Sequence, residues 1–248
     1  MSSATSAKPL TFHTVQPKSQ HTATIIFVHG LGDSGEGWLP VAKQLSKSDA
    51  LSHVKWILPN APERSISVNM GMKMPGWYDI YSFAKDELSG ETRREDKKGM
   101  LESRDSIVAI VKQEIEAGIP EDRVVVGGFS QGETCLTSLA VGITGPYKLA
   151  GIAVASGYMP LPLEIKDLAN PHAAALPVWW AHGTRDPLIP YDSVDKSMSI
   201  ARARLGMSNA QPGSTAGIEF HSYNIAHSAD QAEIISLGQW VARVVPAK

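Results

Sequence analysis

Short apolar runs rich in β-branched residues alternate with segments of helical periodicity along most of the chain. Strands that alternate with helices pair into a mainly parallel sheet, because each helix crosses over the sheet and returns the chain in the same direction. The sequence therefore predicts the α/β class, with a single domain built on a mainly parallel, doubly wound sheet that carries helices on both faces. The predicted strands are Thr24 to Val28, Val54 to Leu58, Val124 to Gly127, Gly151 to Ala155, Val178 to His182 and Ile218 to Tyr223.

Helices are predicted in the intervals between these strands. The longest carries isoleucine and valine at helical spacing and ends before Gly118 and Pro120. Residues 1–20 are rich in Ser, Thr and Lys, and we expect them to form a flexible segment ahead of a domain at residues 21–248. The predicted helices are Trp38 to Ser46, Met100 to Ala117, a segment from Glu133 to Val141, Asp192 to Leu205 and Ala229 to Val244.

The charge balance argues against a nucleic-acid partner. The chain has 23 Lys and Arg against 25 Asp and Glu, whereas nucleic-acid-binding domains concentrate positive charge. The first 20 residues lack the apolar core of a signal peptide, and no apolar run approaches the length of a membrane span. The single cysteine, Cys135, cannot form an internal disulfide, which is typical of a reducing compartment. We therefore expect a cytoplasmic protein, with a nuclear pool also compatible.

The pentad Gly128 to Gly132, with the sequence GFSQG, follows an apolar strand and leads into a helix-compatible segment. In a GxSxG turn the glycines remove side chains where strand and helix would collide, and the serine hydroxyl is left exposed on a tight bend. Glycine and serine are also common in ordinary turns, so the pentad alone is weak evidence. The strand before it and the helix after it favour catalysis, and Ser130 is the candidate nucleophile.

A serine nucleophile needs an imidazole base and a carboxylate that orients the base. In doubly wound hydrolases these follow the serine in the order acid, then histidine, at the carboxyl ends of strands. Asp186 comes directly after a buried strand and is the candidate acid. Asp192 and Asp195 come later, where they are better explained as a helix cap and a first-turn helix residue.

Histidines on both sides of Asp186 compete for the role of the base. His227 lies in the loop between the last strand and the last helix, and it is the candidate base. His221 lies within a strand, where a structural role is the better interpretation, and His182 is better explained as a packed residue at a strand end. No pair of histidines has the helical spacing of a zinc site, so we expect no metal.

Acyl transfer also needs two backbone N–H groups aimed at the developing oxyanion. The residue after the nucleophile, Gln131, supplies one such group in an elbow of this type. A glycine-rich turn, His29 to Asp33, follows the first predicted strand, and Leu31 in this turn is the candidate second donor. The alternative is that Gly30 and Gly32 serve only a tight turn.

Six short motifs in chain order resemble those of the acyl-protein thioesterases, and of their fungal members especially. The resemblance runs from about residue 22 to the C-terminus and extends beyond the residues of a generic triad. The motifs are HGLGD at His29 to Asp33, LPNAP at Leu58 to Pro62, MPGWYD at Met74 to Asp79, GFSQG at Gly128 to Gly132, HGTRDPLIP at His182 to Pro190 and AHS at Ala226 to Ser228.

This resemblance implies an α/β-hydrolase fold and hydrolysis of S-palmitoyl thioesters on proteins, without a cofactor. It also implies carboxylesterase and lysophospholipase activity on related substrates. The implied partners are S-acylated proteins and, transiently, the surface of a membrane. A monomer or a weak homodimer is compatible with the sequence.

The sequence also suggests residues for an acyl groove. Three methionines alternate along a segment that ends in Pro-Gly-Trp, so an extended backbone would place their flexible thioethers on one side. Filling gaps in the core is an equally good explanation of these methionines. A second apolar loop follows the strand at Gly151 to Ala155. The candidate groove residues are Met70, Met72, Met74, Trp77, Tyr158 and Leu161.

Glu133 departs from the glycine that the resembled family usually has at this position. A carboxylate about 7 Å from the oxyanion would cost roughly 2 kcal/mol at an effective dielectric of 20. We therefore carry two alternatives to a long-chain thioesterase. One is a short-chain carboxylesterase, and the other is a catalytically weak acyl-binding protein.

Overall fold

Seven strands form the central sheet of the computed structural model, which describes residues 9–83, 94–134, 139–211 and 214–248. The strands lie in the order β1-β3-β2-β6-β7-β8-β9, and a separate hairpin pairs β4 with β5. The strands are β1 Phe12–Val15, β2 Ala23–Val28, β3 Val54–Pro59, β4 Glu63–Ile66, β5 Met72–Pro75, β6 Val124–Phe129, β7 Gly151–Ala155, β8 Val178–Gly183 and β9 Ile218–Tyr223.

Strands β2, β3, β6, β7, β8 and β9 pair in parallel, and β1 alone among the strands of this sheet pairs antiparallel, with β3. Each strand predicted from the sequence is present with boundaries close to those expected. The prediction of one α/β domain with a mainly parallel sheet is confirmed.

The described helices cover the two faces of this sheet. The predicted segment from Glu133 to Val141 appears as two short helices, and residues 135–138 between them, with Cys135, lie outside the described residues. In the parts of the chain that the structure describes, no helix is both long enough and apolar enough to cross a membrane. The helices are α1 Leu39–Leu45, α2 Lys97–Glu116, α3 Gln131–Thr134, α4 Leu139–Thr144, α5 Ile165–Leu168, α6 Asp192–Leu205 and α7 Gln231–Val244.

Strand β2 shows how the sheet is buried on both sides. Ile26 and Val28 belong to the apolar layer that also contains the buried residues of α2, whereas Ile25 and Phe27 belong to the opposite layer with α1 and α7. Successive side chains of a strand point to opposite faces, so a strand buried on both faces reads as a continuous apolar run. This explains why the central strands carry no polar alternation.

The N-terminal boundary differs from the sequence expectation. Phe12–Val15 forms the edge strand β1, and its residues pair with Trp56 to Pro59 of β3, so residues 1–20 are not uniformly a flexible segment outside the domain. The aromatic and β-branched residues of this short run suit a strand, and pairing with β3 satisfies backbone groups that an open edge would expose.

Candidate active site

Ser130 occupies the sharp turn between β6 and α3. Its φ is +55°, a left-handed conformation that is uncommon for a residue other than glycine. A Cβ atom at Gly132 would overlap the carbonyl oxygen of His29, and one at Gly128 would lie 2.8 Å from the carbonyl oxygen of Val28. Both glycines are therefore required because β2 and the loop after it lie directly against the turn. The strained backbone projects the Ser130 hydroxyl into a cavity.

A chain of two hydrogen bonds joins the three residues that sequence order selected. The Oγ atom of Ser130 lies 2.6 Å from Nε2 of His227, and Nδ1 of His227 lies 2.6 Å from Oδ2 of Asp186. The three residues follow β6, β9 and β8, whose carboxyl ends meet at one edge of the parallel sheet. This edge is where open α/β sheets bind ligands.

The Asp186 carboxylate is held on both of its oxygens. While Oδ2 faces His227, Oδ1 accepts hydrogen bonds of 2.9 Å from the backbone N–H groups of Leu188 and Ile189. Burial by itself would raise the pKa of Asp186, but the hydrogen bonds from His227 and Ile189 outweigh it, and the pKa lies below its ordinary value. The carboxylate is therefore charged at neutral pH and faces the ring that it can orient.

Two other histidines lie close to this site without facing Ser130. His182 is fully buried, and its Nε2 atom lies 2.9 Å from the carbonyl oxygen of Ile189. His29 accepts the backbone N–H of Ala61 at Nε2, so Nδ1 carries the proton and donates to the carbonyl oxygen of Gly30 at 2.7 Å. Burial lowers the pKa of both rings, so both are neutral. His182 is packed and hydrogen-bonded, and His29 shapes the loop after β2.

This loop lies against the nucleophile turn. A Cβ atom at Gly30 would be 3.3 Å from the Cβ of Ser130, and Leu31 and Gln131 line the same cavity as the Ser130 hydroxyl. Gln131 is the first residue of α3, where backbone N–H groups have no acceptor within the helix. Both candidate oxyanion donors are thus carried by segments that border Ser130.

The cavity above Ser130 has a volume of about 290 Å³ and mostly apolar walls. Tyr158 is the one candidate groove residue that lines it. Phe83 and Leu188 are partly exposed and lie where the wall reaches solvent. The apolar walls are formed by Ile80, Phe83, Phe129, Tyr158, Leu188 and Ile189, together with the ring of Tyr78.

The methionines do not form the predicted row along this cavity. Met70 has a φ of +54° and, with Gly71, makes the turn of the β4–β5 hairpin, so it does not share an extended segment with the others. Met70 and Met72 are 93% and 57% exposed. Met74 is half-buried, with its sulfur 3.4 Å from Nδ2 of Asn69. None of the three methionines is among the residues that line this cavity, and only Met72 and Met74 share the extended strand β5.

Trp77 and Leu161 are also absent from the cavity walls. Trp77 is 1% exposed, and its indole N–H donates to the carbonyl oxygen of His29 at 2.8 Å. Leu161 is buried in the core, and its backbone N–H donates to Glu95. Aromatic and aliphatic side chains near a motif are equally suited to a core and to a pocket, so their identity alone could not separate the two.

Most of the residues that form the walls were not among those predicted from the sequence. Leu188 and Ile189 lie two and three residues after the candidate acid Asp186, and Tyr78 follows Trp77 in the MPGWYD motif, so proximity to motif residues was the available signal. Ile80 and Phe83 carried no comparable signal.

Within the described parts of the chain, no three His, Cys, Asp or Glu side chains are grouped as a metal site would need.

A family model described as phospholipase/carboxylesterase matches residues 10–244. The chain belongs to the phospholipase/carboxylesterase family. This family assignment confirms that the protein is a hydrolase with the α/β-hydrolase fold, as the resemblance implied. The match begins before residue 20, in agreement with the pairing of β1 in the sheet.

Relatives within the phospholipase/carboxylesterase family agree with the resemblance to acyl-protein thioesterases. An acyl-protein thioesterase 1 of Cryptococcus neoformans is 42% identical over 92% of this chain and 94% of its own length. That of Mycosarcoma maydis is 40% identical over 94% of this chain and 97% of its own length.

Solved structures show the same fold. SOBER1 of Arabidopsis thaliana superposes with a TM-score of 0.79 at 28% identity, over 90% of this chain and 99% of its own. The acyl-protein thioesterase 2 of Zea mays superposes with a TM-score of 0.75 at 26% identity, over 95% and 99% of the two chains.

Proposed function

We propose that this protein hydrolyses long-chain S-acyl thioesters on proteins through an acyl-Ser130 intermediate. The observation that carries the proposal is the Ser130 hydroxyl, hydrogen-bonded to His227 and facing an apolar cavity. The relatives named acyl-protein thioesterase, at about 40% identity over nearly the whole chain, support the same substrate class.

Acylation would begin with attack of the Ser130 oxygen on the thioester carbonyl carbon. The serine proton moves to Nε2 of His227, and Asp186 stabilises the imidazolium through its contact with Nδ1. The backbone N–H groups of Leu31 and Gln131 bind the oxyanion of the tetrahedral intermediate. Collapse of this intermediate breaks the carbon–sulfur bond, and the His227 imidazolium protonates the leaving thiolate.

Deacylation repeats these steps with water as the nucleophile. His227 accepts a proton from water as the water oxygen attacks the acyl-serine carbonyl. The second tetrahedral intermediate releases the fatty acid and restores the Ser130 hydroxyl. No cofactor takes part in either half of this scheme.

The cavity supports a preference for acyl chains longer than acetyl. Its volume of about 290 Å³ is that of a small ligand pocket, and its walls are mostly apolar, with Asp33 as an acidic residue in the lining besides the proposed catalytic groups. Each buried methylene contributes about 0.8 kcal/mol, or roughly a fourfold gain in kcat/KM. Acyl esters and lysophospholipids, which present the same acyl group, are included in the proposal as secondary substrates.

The proposed substrate class also indicates where in the cell the protein acts. S-acylated proteins meet their lipid at membrane surfaces, so the proposal includes transient contact with a membrane from the cytoplasm. Fractionation of cells that express the tagged chain, with soluble and membrane fractions assayed separately, tests this part.

The experiment that tests the function compares S-acyl peptides and p-nitrophenyl esters from C2 to C16. We expect kcat/KM to rise with chain length and to vanish in Ser130→Ala for every substrate. A maximum at C2 to C4 would instead identify a short-chain carboxylesterase. Tight binding of long-chain acyl groups without turnover would identify an acyl-binding protein.

A further inference from the structure

The segment Pro75–Tyr78, which we call the strap, contacts both segments that carry the proposed oxyanion donors. These are the loop after β2, with Leu31, and the turn after β6, with Gln131. The two lie about a hundred residues apart in the chain. Their relative position must therefore be set by tertiary contacts.

Two hydrogen bonds join the strap to the loop on either side of Leu31. The indole N–H of Trp77 donates to the carbonyl oxygen of His29 at 2.8 Å, and the backbone N–H of Gly32 donates to the carbonyl oxygen of Pro75 at 2.8 Å. One bond holds the loop ahead of Leu31 and the other holds it behind. The peptide that carries the Leu31 N–H is thereby restrained on both sides.

Two further hydrogen bonds join the strap to the side chain of Gln131. Its Oε1 atom accepts the backbone N–H of Trp77 at 3.0 Å, and its Nε2 donates to the carbonyl oxygen of Tyr78 at 2.7 Å. Gln131 as a whole residue is 2% exposed, so these bonds are shielded from water. They hold the first residue of α3, whose backbone N–H is the other proposed donor.

Gly76 packs against the side chains of both donor residues. A Cβ atom there would lie 3.2 Å from a methyl carbon of Leu31 and 3.5 Å from Oε1 of Gln131. The far side of the strap is anchored to α2, since the hydroxyl of Ser103 donates to the carbonyl oxygen of Trp77. The strap is thus fixed to the body of the domain as well as to the two donor segments.

We propose that the strap sets the separation of the two oxyanion donors, with Trp77 as the positioning residue that acts through His29 and Gln131. This inference rests on the proposed function, because it takes Leu31 and Gln131 as donors. Oxyanion donors must lie about 2.7–3.1 Å from the oxygen as it forms, so a small displacement weakens transition-state binding and leaves ground-state binding intact. Loss of the strap's contacts should therefore lower kcat with little change in KM.

The test compares Trp77→Phe with Trp180→Phe. Trp180 is also a fully buried tryptophan of the same apolar layer, and among the described residues its indole N–H has no hydrogen-bond partner. Both variants lose similar packing, but only Trp77→Phe loses a bond to the oxyanion loop. The substrate is p-nitrophenyl butyrate, and the inhibitor is butylboronic acid, which forms a tetrahedral adduct with a nucleophilic serine.

For Trp77→Phe we expect kcat to fall about 10- to 100-fold, with KM nearly unchanged and a parallel loss of boronic acid affinity. For Trp180→Phe we expect kcat close to that of the parent protein. An equal loss of kcat in the two variants, or a change confined to KM, would overturn the inference. Turnover that persists in Ser130→Ala would overturn the proposed function instead.

If Trp77→Phe does not fold, Ser103→Ala decides the question. It removes one anchoring bond of the strap without touching the cavity, and we expect a loss of kcat of about fivefold with KM retained. Ser106→Ala is the matched control, because its hydroxyl bonds only within α2, to the carbonyl oxygen of Glu102, among the described contacts. Equal kcat in the two serine variants would then reject the strap as a positioning element.

Discussion

Asp186 and His227 face each other at 2.6 Å although 41 residues separate them in the chain. The remaining oxygen of the carboxylate accepts hydrogen bonds from the N–H groups of Leu188 and Ile189, which line the cavity above Ser130. One carboxylate therefore contacts both the proposed base and the backbone of the cavity wall. The loop after β8 thus carries both the proposed catalytic acid and part of the wall of the proposed substrate pocket.

Replacing Asp186 by Asn should reduce kcat by about 10⁴-fold, as expected when a triad loses the charge that holds the histidine tautomer. The amide can still accept the N–H groups of Leu188 and Ile189, so KM should change little. Steady-state kinetics on one ester measure both constants. A loss of kcat below about tenfold would mean that Asp186 does not act through His227.

Replacing Leu188 by Asn should flatten the dependence of activity on acyl-chain length. Leu188 lines the cavity, so each substrate methylene that contacts it loses part of a contribution of about 0.8 kcal/mol. The ratio of kcat/KM between C8 and C2 esters measures the effect. Leu163→Asn is the matched control, because Leu163 is similarly exposed, at 50% against 42%, and lies outside the cavity walls. The same C8 to C2 ratio in both variants would place the acyl chain elsewhere.

Replacing Glu233 by Gln should stabilise the protein increasingly as pH rises. Burial and the nearby charge of Asp230 raise the pKa of Glu233 to about 8, against an ordinary value of 4.5. Neither carboxyl oxygen has a hydrogen-bond partner among the described residues. Between pH 4.5 and pH 8 the Glu233 carboxyl is deprotonated in the unfolded chain and protonated in the folded chain. The free energy of unfolding of the wild-type protein therefore decreases as pH rises through this range.

The measurement is the difference in Tm between Glu233→Gln and the parent protein at pH 8 and at pH 4.5. We expect the difference to be larger at pH 8 by at least about 4 °C, the equivalent of about 1–2 kcal/mol in a domain of this size. Glu116→Gln, at an exposed position of α2, should show no such trend. A difference that does not vary with pH would show that Glu233 is not buried in its neutral form.

Replacing Glu133 by Gly should raise kcat/KM, because it removes a negative charge three residues after the proposed nucleophile. Glu133 stands in α3, three residues after Ser130. A carboxylate about 7 Å from the oxyanion would cost roughly 2 kcal/mol, so the gain could reach about 30-fold. Glu133→Gln, which removes the charge and keeps the size, should recover most of this gain. Unchanged kcat/KM in both variants would exclude the electrostatic effect.

The central strands and the order of the site residues were predictable because both depend on local pattern. A strand buried on both faces is apolar along most of its length, as β2, β6 and β8 are, and such runs are visible in the sequence. Chain order in doubly wound hydrolases then narrowed the choice to Ser130, Asp186 and His227. The structure places these three in one hydrogen-bonded chain.

The walls of the cavity above Ser130 and the position of Trp77 were not predictable in this way. The cavity walls come from the loop around Tyr78 to Phe83, from Tyr158 and from Leu188 and Ile189, which no local period relates. Trp77 was expected in the groove and is instead buried beneath it, bonded to the loop after β2.

Local sequence thus decided which segments become strands and helices and which loops carry reactive side chains, because periodicity and turn chemistry act over a few residues. Tertiary structure alone decided which apolar side chains face the cavity, that β1 adds an edge strand to the sheet beside β3, and that the Pro75–Tyr78 strap contacts both segments that carry the proposed donors. These outcomes depend on contacts between segments far apart in the chain. Such contacts form where side chains fit together and buried polar groups find hydrogen-bond partners. Neither requirement produces a regular pattern in the sequence.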